Sequence, residues 1–234
     1  MTLKEKIDNY VPDQKTVDRL SSIPVVLLAS VVAGGKNTVA MELVKRGGYS
    51  RFVTNTTRAP RANEGVMEVD GIDYNFMDME TAESLVDAKE FVEVKYVHGN
   101  VYGSTMDGFI KAADGGNIAI GDVDVQGVDE YLGIKPDIHA IFLLPPSVDT
   151  WLARLAKRYG DLDEHADEIK KRFRTAYNEI KHVQADKRYI LVINDDLETT
   201  VERIHDIIAD KKTETSEYAE AVTEHLLDYL KSEI

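Results

Sequence analysis

An α/β fold, with a central parallel sheet flanked by helices, is what this 234-residue sequence predicts. Three observations carry the prediction. Residues 24–29 form an unbroken apolar run bounded by turn signals, as expected of a strand buried on both faces. Strand-like runs then alternate with helix-compatible stretches along most of the chain, the order that builds a covered parallel sheet. The first strand also runs into Gly34, Gly35 and Lys36 and then a helix, which is the layout of an anion-binding loop.

Each element follows from local chemistry. Residues 1–22 read as a polar amphipathic helical extension with Leu3, Ile7, Tyr10 and Val11 on one side. After the strand at 24–29, residues 38–46 form a short helix closed by Gly47 and Gly48. Residues 51–76 alternate in polarity and carry several turn residues, predicting a small strand-rich insert. A helix over 81–89 and a strand over 91–97 follow, then a strand over 118–123 that ends on Asp122 and Asp124. The strand at 139–144 stops at Pro145 and Pro146, which cannot continue it, and Ser147 caps a helix running to about Arg158. A charged helix over 164–183, a strand over 189–193 and a helix over 199–209 complete the core. Tyr218, Val222, Leu226 and Tyr229 mark one face of a terminal helix.

Composition narrows the function. The apolar share of 43% is enough for a normal core. The longest apolar run, 23–33, is short of the ~18–20 residues that a membrane span needs. The first residues are too polar for a secretory signal. Without cysteine there are no disulfides, no thiol catalysis and no thiolate-bound metal. These features predict a soluble, cytoplasmic protein. The net charge of −14, from 42 acidic and 28 basic residues, repels nucleic acids and anionic membranes, so neither is expected as a partner. Basic residues that bind anions must then be concentrated locally.

The segment from Ser30 to Thr38 is the first such place. Backbone N–H groups at the helix start cradle phosphates, and a lysine reaches the β and γ oxygens. The usual pattern is G-x-x-x-x-G-K-[ST]. Gly35 and Lys36 fit it, whereas Ser30 stands where the first glycine belongs and Asn37 replaces the hydroxyl that holds Mg²⁺. On these residues alone, a phosphate loop and an ordinary strand-to-helix turn with a surface lysine stand about level.

The insert separates them. Residues 54–64 read T-N-T-T-R-A-P-R-A-N-E, and 71–76 read G-I-D-Y-N-F. This resembles the guanylate kinase family, whose members read T-T-R-x-P-R-x-x-E and then G-x-D-Y-x-F. The likeness continues through Glu90, Glu93, residues 98–105, Asp122, Asp124, residues 126–127, residues 144–147 and residues 193–197. It spans about residues 24–210, with a longer hairpin between Glu64 and Gly71 and Val101 where many members have tyrosine. The resemblance implies a P-loop kinase fold with a nucleotide-binding insert and a short helical lid. It also implies transfer of the γ-phosphoryl of ATP to GMP or dGMP, with ATP and Mg²⁺ required.

The chemistry of individual residues agrees with those implied roles. Arg58 and Arg61 lie three apart beside Pro60, and two fixed guanidiniums suit a phosphate dianion. The family role carried to them is gripping the GMP phosphate, with Glu64 beside them and Tyr74 and Tyr102 donating hydroxyls. Guanine presents N1–H and N2–H donors and an O6 acceptor. Glu93 suits the donors, and Thr54 and Ser104 suit O6. Taken singly, Glu93 reads as a solvated strand residue, Tyr74 as packing and the arginines as a surface pair. Their order along the chain favours the functional reading.

On the donor side, the resemblance assigns Gly34, Gly35, Lys36, Asn37, Thr38 and Asn194 to ATP, with Asn194 near the adenine. Lys36, Arg154, Arg158 and Arg172 neutralise the transferring phosphates. Asn37 and Asp122 are the metal candidates, and Asp124 lies near the acceptor nucleotide, although both aspartates also read as strand-end caps. Arg154 and Arg158 share a helix face, whereas Arg174 reads as solvated. The expected organisation is an extension at 1–22, a core at 23–53 and 108–210 with a lid near 154–172, a GMP insert at 54–107 and an extension at 211–234. Monomer and homodimer remain open. Three other readings stay open as well: a silent guanylate-kinase-like module, a same-fold kinase for another phosphorylated sugar or nucleotide, and a structural protein.

Overall fold

Residues 1–63, 66–209 and 215–234 are described by the computed structural model. The elements begin with α1 (Leu3–Asp8), α2 (Gln14–Ser21), β1 (Val25–Ser30), α3 (Lys36–Arg46) and β2 (Tyr49–Arg51). Four short strands follow, β3 (Asn55–Thr56), β4 (Ala62–Asn63), β5 (Val66–Met67) and β6 (Asn75–Phe76). Next come α4 (Met79–Asp87), β7 (Phe91–Val97), β8 (Asn100–Thr105), α5 (Met106–Ala112), β9 (Ile118–Asp122) and α6 (Val125–Ile134). The chain continues with β10 (His139–Leu144), α7 (Val148–Tyr159), α8 (Ala166–Ala185), β11 (Tyr189–Ile193), α9 (Leu197–Ala209) and α10 (Glu217–Glu233).

Two compact units are present. One comprises Met1–Val25, Gly47–Gly121 and Glu130–Ile138, and the other Val26–Arg46, Asp122–Asp129 and His139–Ile234. In the second unit the strand order is β11-β10-β1, and in the first β9 neighbours β2. Within the second unit β1, β10 and β11 run parallel, and Val123 N donates to Leu28 O. Within the first, β2 runs parallel to β9, and Ala119 N donates to Pro24 O. Val25 through Ala29 are all buried, which is why the run is apolar at every position rather than at alternate ones. Among the described residues no helix is long and apolar enough to cross a membrane.

A four-stranded sheet, order β6-β3-β8-β7, forms the body of the first unit. The register of β7 against β8 shifts between Phe91 and Glu93, a bulge that sets the direction of the residues after it. Gly103 lies opposite, where a Cβ would come within 2.5 Å of Glu93 O and 2.8 Å of Phe91. The N-terminal arm packs here too. Ile7 joins Ala82, Val86, Phe91 and Val101 in a small core, and Tyr10 Oη donates to Phe91 O at 2.7 Å.

Several element boundaries differ from the sequence expectation. The helical stretch 1–22 is divided into two short helices, because Thr2 and Asp13 each cap a start, and Val11 is 68% exposed rather than on the packed side. Helix α3 already begins at Lys36, and α4 begins at Met79 behind an Asp78 cap. Helices α5 and α6 stand where no helix was expected, started by Thr105 and by Asp124, whose carboxylates or hydroxyls accept from Gly108 N and Gly127 N. On α10 the buried face is Ala219, Val222, Leu226, Leu227 and Leu230, so Tyr218 points outward at 56% exposure.

Candidate active site

The first unit holds the acceptor candidates. Thr57 closes the turn after β3 onto β8, exchanging Thr57 N→Val101 O (3.0 Å) and Val101 N→Thr57 Oγ1 (2.9 Å). Thr56 Oγ1 donates to Val101 O and accepts from Arg58 N. The two threonines therefore fix where Arg58 leaves the sheet. Thr54 O accepts from Asn75 N at 2.9 Å, tying β6 beside β3.

Arg58 is not open to solvent. Its Nη1 and Nη2 donate to Glu68 Oε2 and Oε1 at 2.8 and 2.9 Å, and Nη1 also reaches Ala59 O. The guanidinium lies 5.2 Å from the Tyr74 ring centre, and Tyr74 packs edge-on against Tyr102 at 6.2 Å. Arg58 Nε is buried and meets no hydrogen-bond partner. The Arg58 guanidinium holds the Glu68 carboxyl below the usual carboxylate range. Arg61 is exposed, and its backbone N–H also goes to Glu68 Oε2.

Glu68 is the residue that sequence reasoning missed. Glu64, the glutamate picked by counting forward from Arg61, lies outside the described residues. Counting back from the Gly71 to Phe76 motif would have pointed to Glu68, three residues before Gly71 and on the near side of the longer hairpin.

Glu93 stands just past the bulge on β7, paired in register with Ser104 on β8. It is half-buried, and Tyr131 Oη donates to its Oε1 at 3.1 Å. Burial pushes the Glu93 carboxyl up from its ordinary range, while Ser104 and then Tyr131 pull it back. Ser104 Oγ is close enough to exert that pull yet makes no hydrogen bond of good geometry, and at 2% exposure it is an orphan. Asn55 Oδ1 is another buried polar atom of this unit that meets no hydrogen-bond partner. Tyr131 was also missed, because no motif flags a tyrosine on a helix that the sequence did not announce. It is 1% exposed and packed on Phe52 and Phe109.

The second unit holds the donor candidates. Ser30 through Thr38 line one cavity of ≈390 Å³ together with Arg154, Lys157 and Arg158. Ala33 and Gly35 take left-handed φ values of 59° and 92°, the second suited only to glycine. Lys36 Nζ donates to Val123 O at 3.2 Å. Asn37 and Thr38 are both exposed on this cavity in the first turn of α3.

Asn194 is 6% exposed and sits behind the loop, donating Nδ2 to Gly34 O at 2.8 Å. Its backbone oxygen takes Arg154 Nη2 at 2.8 Å, leaving Arg154 Nη1 buried without a partner. The side chain expected near an adenine is thus engaged with the loop backbone. Arg158 is exposed on the cavity beside Arg154, as their four-residue spacing requires. Arg172 does not line the cavity and pairs with Glu168 at 3.1 Å.

Asp122 ends β9, and Asp124 accepts from Gly127 N at 2.6 Å as a helix cap. Glu179 on α8 joins this group. Burial pushes its carboxyl up to about 7, with Lys36 opposing and Asp124 adding to the rise. Nothing in the sequence marked Glu179, since it lies one place before Ile180 on an otherwise ordinary buried helix face.

Comparison with known proteins agrees with these arrangements. The family model described as Guanylate kinase matches residues 21–211. A guanylate kinase of Clostridioides difficile (strain 630) is 31% identical over 208 residues, covering 87% of this chain and 97% of the relative. One from Myxococcus xanthus (strain DK1622) is 35% identical over 184 residues, covering 78% and 84%. Among solved structures, a guanylate kinase from Anaplasma phagocytophilum superimposes with a TM-score of 0.55 at 29% identity, covering 83% of this chain and 89% of that one. The chain belongs to the guanylate kinase family.

Proposed function

We infer that the protein is a guanylate kinase, transferring the γ-phosphoryl of ATP to GMP or dGMP to give ADP and the corresponding diphosphate. The observation that carries the choice of base is Glu93, a half-buried carboxylate beside the orphaned Ser104 hydroxyl. A carboxylate accepts N1–H and N2–H of guanine, and a hydroxyl donates to O6. Adenine offers neither donor at N1 and C2 and would leave the carboxylate unpaired, which a buried site penalises heavily.

Arg58, Arg61, Tyr74 and Tyr102 are proposed for the acceptor phosphate, with Arg58 fixed by Glu68 and its Nε still to be satisfied. Thr54, just before β3, is proposed with Ser104 for guanine O6. Gly34, Gly35, Lys36 and Thr38 are proposed for the donor phosphates, with Arg154, Arg158 and Arg172 supplying further positive charge. In the transfer an acceptor phosphate oxygen forms a bond to the γ-phosphorus as the bond from that phosphorus to the β,γ-bridging oxygen breaks, and ADP leaves with the electron pair. Little covalent work falls to the protein, so placement and charge neutralisation supply the catalysis.

The donor set near Lys36 suits Mg²⁺, being oxygen throughout: the Asn37 amide, the Thr38 hydroxyl and the Asp122 carboxylate. Held by these residues, Mg²⁺ would supply charge neutralisation for the donor phosphates. Lys36 places its ammonium at the same phosphates, and Asp124 and Glu179 set the negative field around that ammonium.

The acidic surface and the cysteine-free composition support a cytoplasmic protein that acts as a monomer or homodimer, with GMP and ATP as its partners rather than nucleic acid or a membrane. ADP formation from ATP, measured separately with GMP, dGMP, AMP, UMP and a ribose bisphosphate as acceptors, tests the reading. Turnover confined to GMP and dGMP is expected. Equal use of AMP and GMP would overturn the assignment of Glu93.

A further inference from the structure

We propose that Trp151 and Ser30 are positioning residues of the donor-phosphate loop, tying loop carbonyls outward so that the loop amides face the phosphates. The inference rests on the reading of Ser30 to Thr38 as the donor site, and it concerns two of the side chains that hold this loop.

A trans peptide points its N–H opposite to the preceding C=O, so whatever fixes a carbonyl also aims the next amide. Three loop carbonyls are fixed here. Val31 O accepts from Ser30 Oγ and Gly34 N, both at 2.9 Å. Val32 O accepts from Trp151 Nε1 at 2.8 Å, and Gly34 O accepts from Asn194 Nδ2 at 2.8 Å. The amides of Val32, Ala33 and Gly35 are thereby turned the other way, giving successive N–H groups of the kind that bind anions.

Trp151 suits this role. It is the chain's sole tryptophan, fully buried on α7 and packed against Phe173 at 5.4 Å. A buried indole N–H requires an acceptor, and this one reaches across to a loop carbonyl rather than one of its own helix. The bond also helps to hold Ala33 in its left-handed conformation, which a residue with a Cβ adopts only where flanking bonds offset the cost.

Ser30 then reads as a substitution that the loop is built around. A Cβ on Gly34 would lie 2.7 Å from Ser30 Cβ, so Gly34 provides the room that the serine takes. In exchange, the serine hydroxyl adds a donor to Val31 O that a glycine at that position lacks.

The test compares Mg²⁺-ADP and GMP affinities by calorimetry, alongside thermal melting, for the parent, Trp151→Phe and Ser30→Ala. Trp151→Phe keeps an aromatic ring and removes the donor. It should weaken ADP binding about fivefold or more, as one lost hydrogen bond implies, while GMP affinity stays within about twofold. Ser30→Ala should weaken ADP binding by a smaller factor in the same direction with melting unchanged, and it carries the test alone if Trp151→Phe does not fold. Parent-like ADP affinity in the folded variants, or equal loss of ADP and GMP affinity, would overturn the inference. A parent that binds no ADP would overturn the donor-site reading as well, which separates the two failures.

Discussion

Replacing Glu93 with glutamine isolates the feature on which base selection depends. The variant keeps the shape of the side chain and one acceptor oxygen, but it substitutes an amide N–H₂ where the second oxygen stood. Guanine N1–H and N2–H then face one neutral acceptor and one donor. A hydrogen bond to a charged group contributes roughly 1.5–3 kcal/mol, and a neutral one about 1. The loss of one charged bond and the weakening of the other predicts about 2–3 kcal/mol, or roughly 30- to 150-fold in the GMP KM. The structure argues for the full figure. Glu93 is already half-buried before nucleotide arrives, and that burial pushes its carboxyl up, so binding bears only part of the desolvation cost. Coupled measurement of ADP production, with GMP varied at saturating ATP and then the reverse, checks it. An ATP KM that moves as far as the GMP KM, or a GMP KM within about twofold of the parent, would refute the assignment.

Three further outcomes follow from the same geometry. Glu68→Gln removes the charge that fixes Arg58, so the GMP KM should rise by about an order of magnitude while the ATP KM holds, read in the same coupled assay. Lys36→Met should abolish GDP formation, since Arg154 is tied to Asn194 O and Arg158 is exposed, and Asn37→Ser should retain or raise it; activity surviving Lys36→Met would place the donor site elsewhere. Glu179 is raised in the folded protein, so it binds its proton more tightly there than when unfolded, and its contribution to stability is present at acid pH and lost as pH rises through about 7. Thermal melting should therefore fall between about pH 5 and 7 by more in the parent than in Glu179→Gln, and equal slopes would remove Glu179 from the electrostatics around Lys36.

The core was legible where one physical signal dominated. The strand at 25–29 is buried on both faces and so apolar throughout, and Ser147 caps α7 as its side chain predicts. Legibility failed where tertiary contact decides. Helix α6 carries Tyr131 into the first unit under Glu93, but its sequence offers only a modest apolar face and a start that doubles as the Asp124 site. Tyr218 has the spacing of a core residue and points outward, because Ala219 and Val222 already fill that side of α10. At the acceptor site the family pattern pointed to Arg58 and Glu64, and the structure pairs Arg58 with Glu68. A motif read in one direction cannot register an insertion, whereas the bidentate pairing of Arg58 with Glu68 identifies the partner directly.

The N-terminal arm shows how residues outside the chemistry bear on base selection. Strand β7 lies at the edge of its sheet and carries Glu93, and an edge strand leaves backbone groups unpaired and free to shift register. The arm covers that edge at the bulge. Tyr10 Oη donates to Phe91 O, Thr16 Oγ1 donates to Lys89 O at 3.0 Å, and Ile7 packs onto Phe91 and Val101. Lys6 adds Glu83 and Asp87 of α4, at 2.9 and 2.7 Å. These exposed ion pairs contribute little singly, and the buried contacts carry the attachment. The family model matches residues 21–211, so helices α1 and α2 lie almost wholly outside that match. What they hold in place is the bulge from which Glu93 departs, and a carboxylate that must meet two guanine donors tolerates little error in that departure.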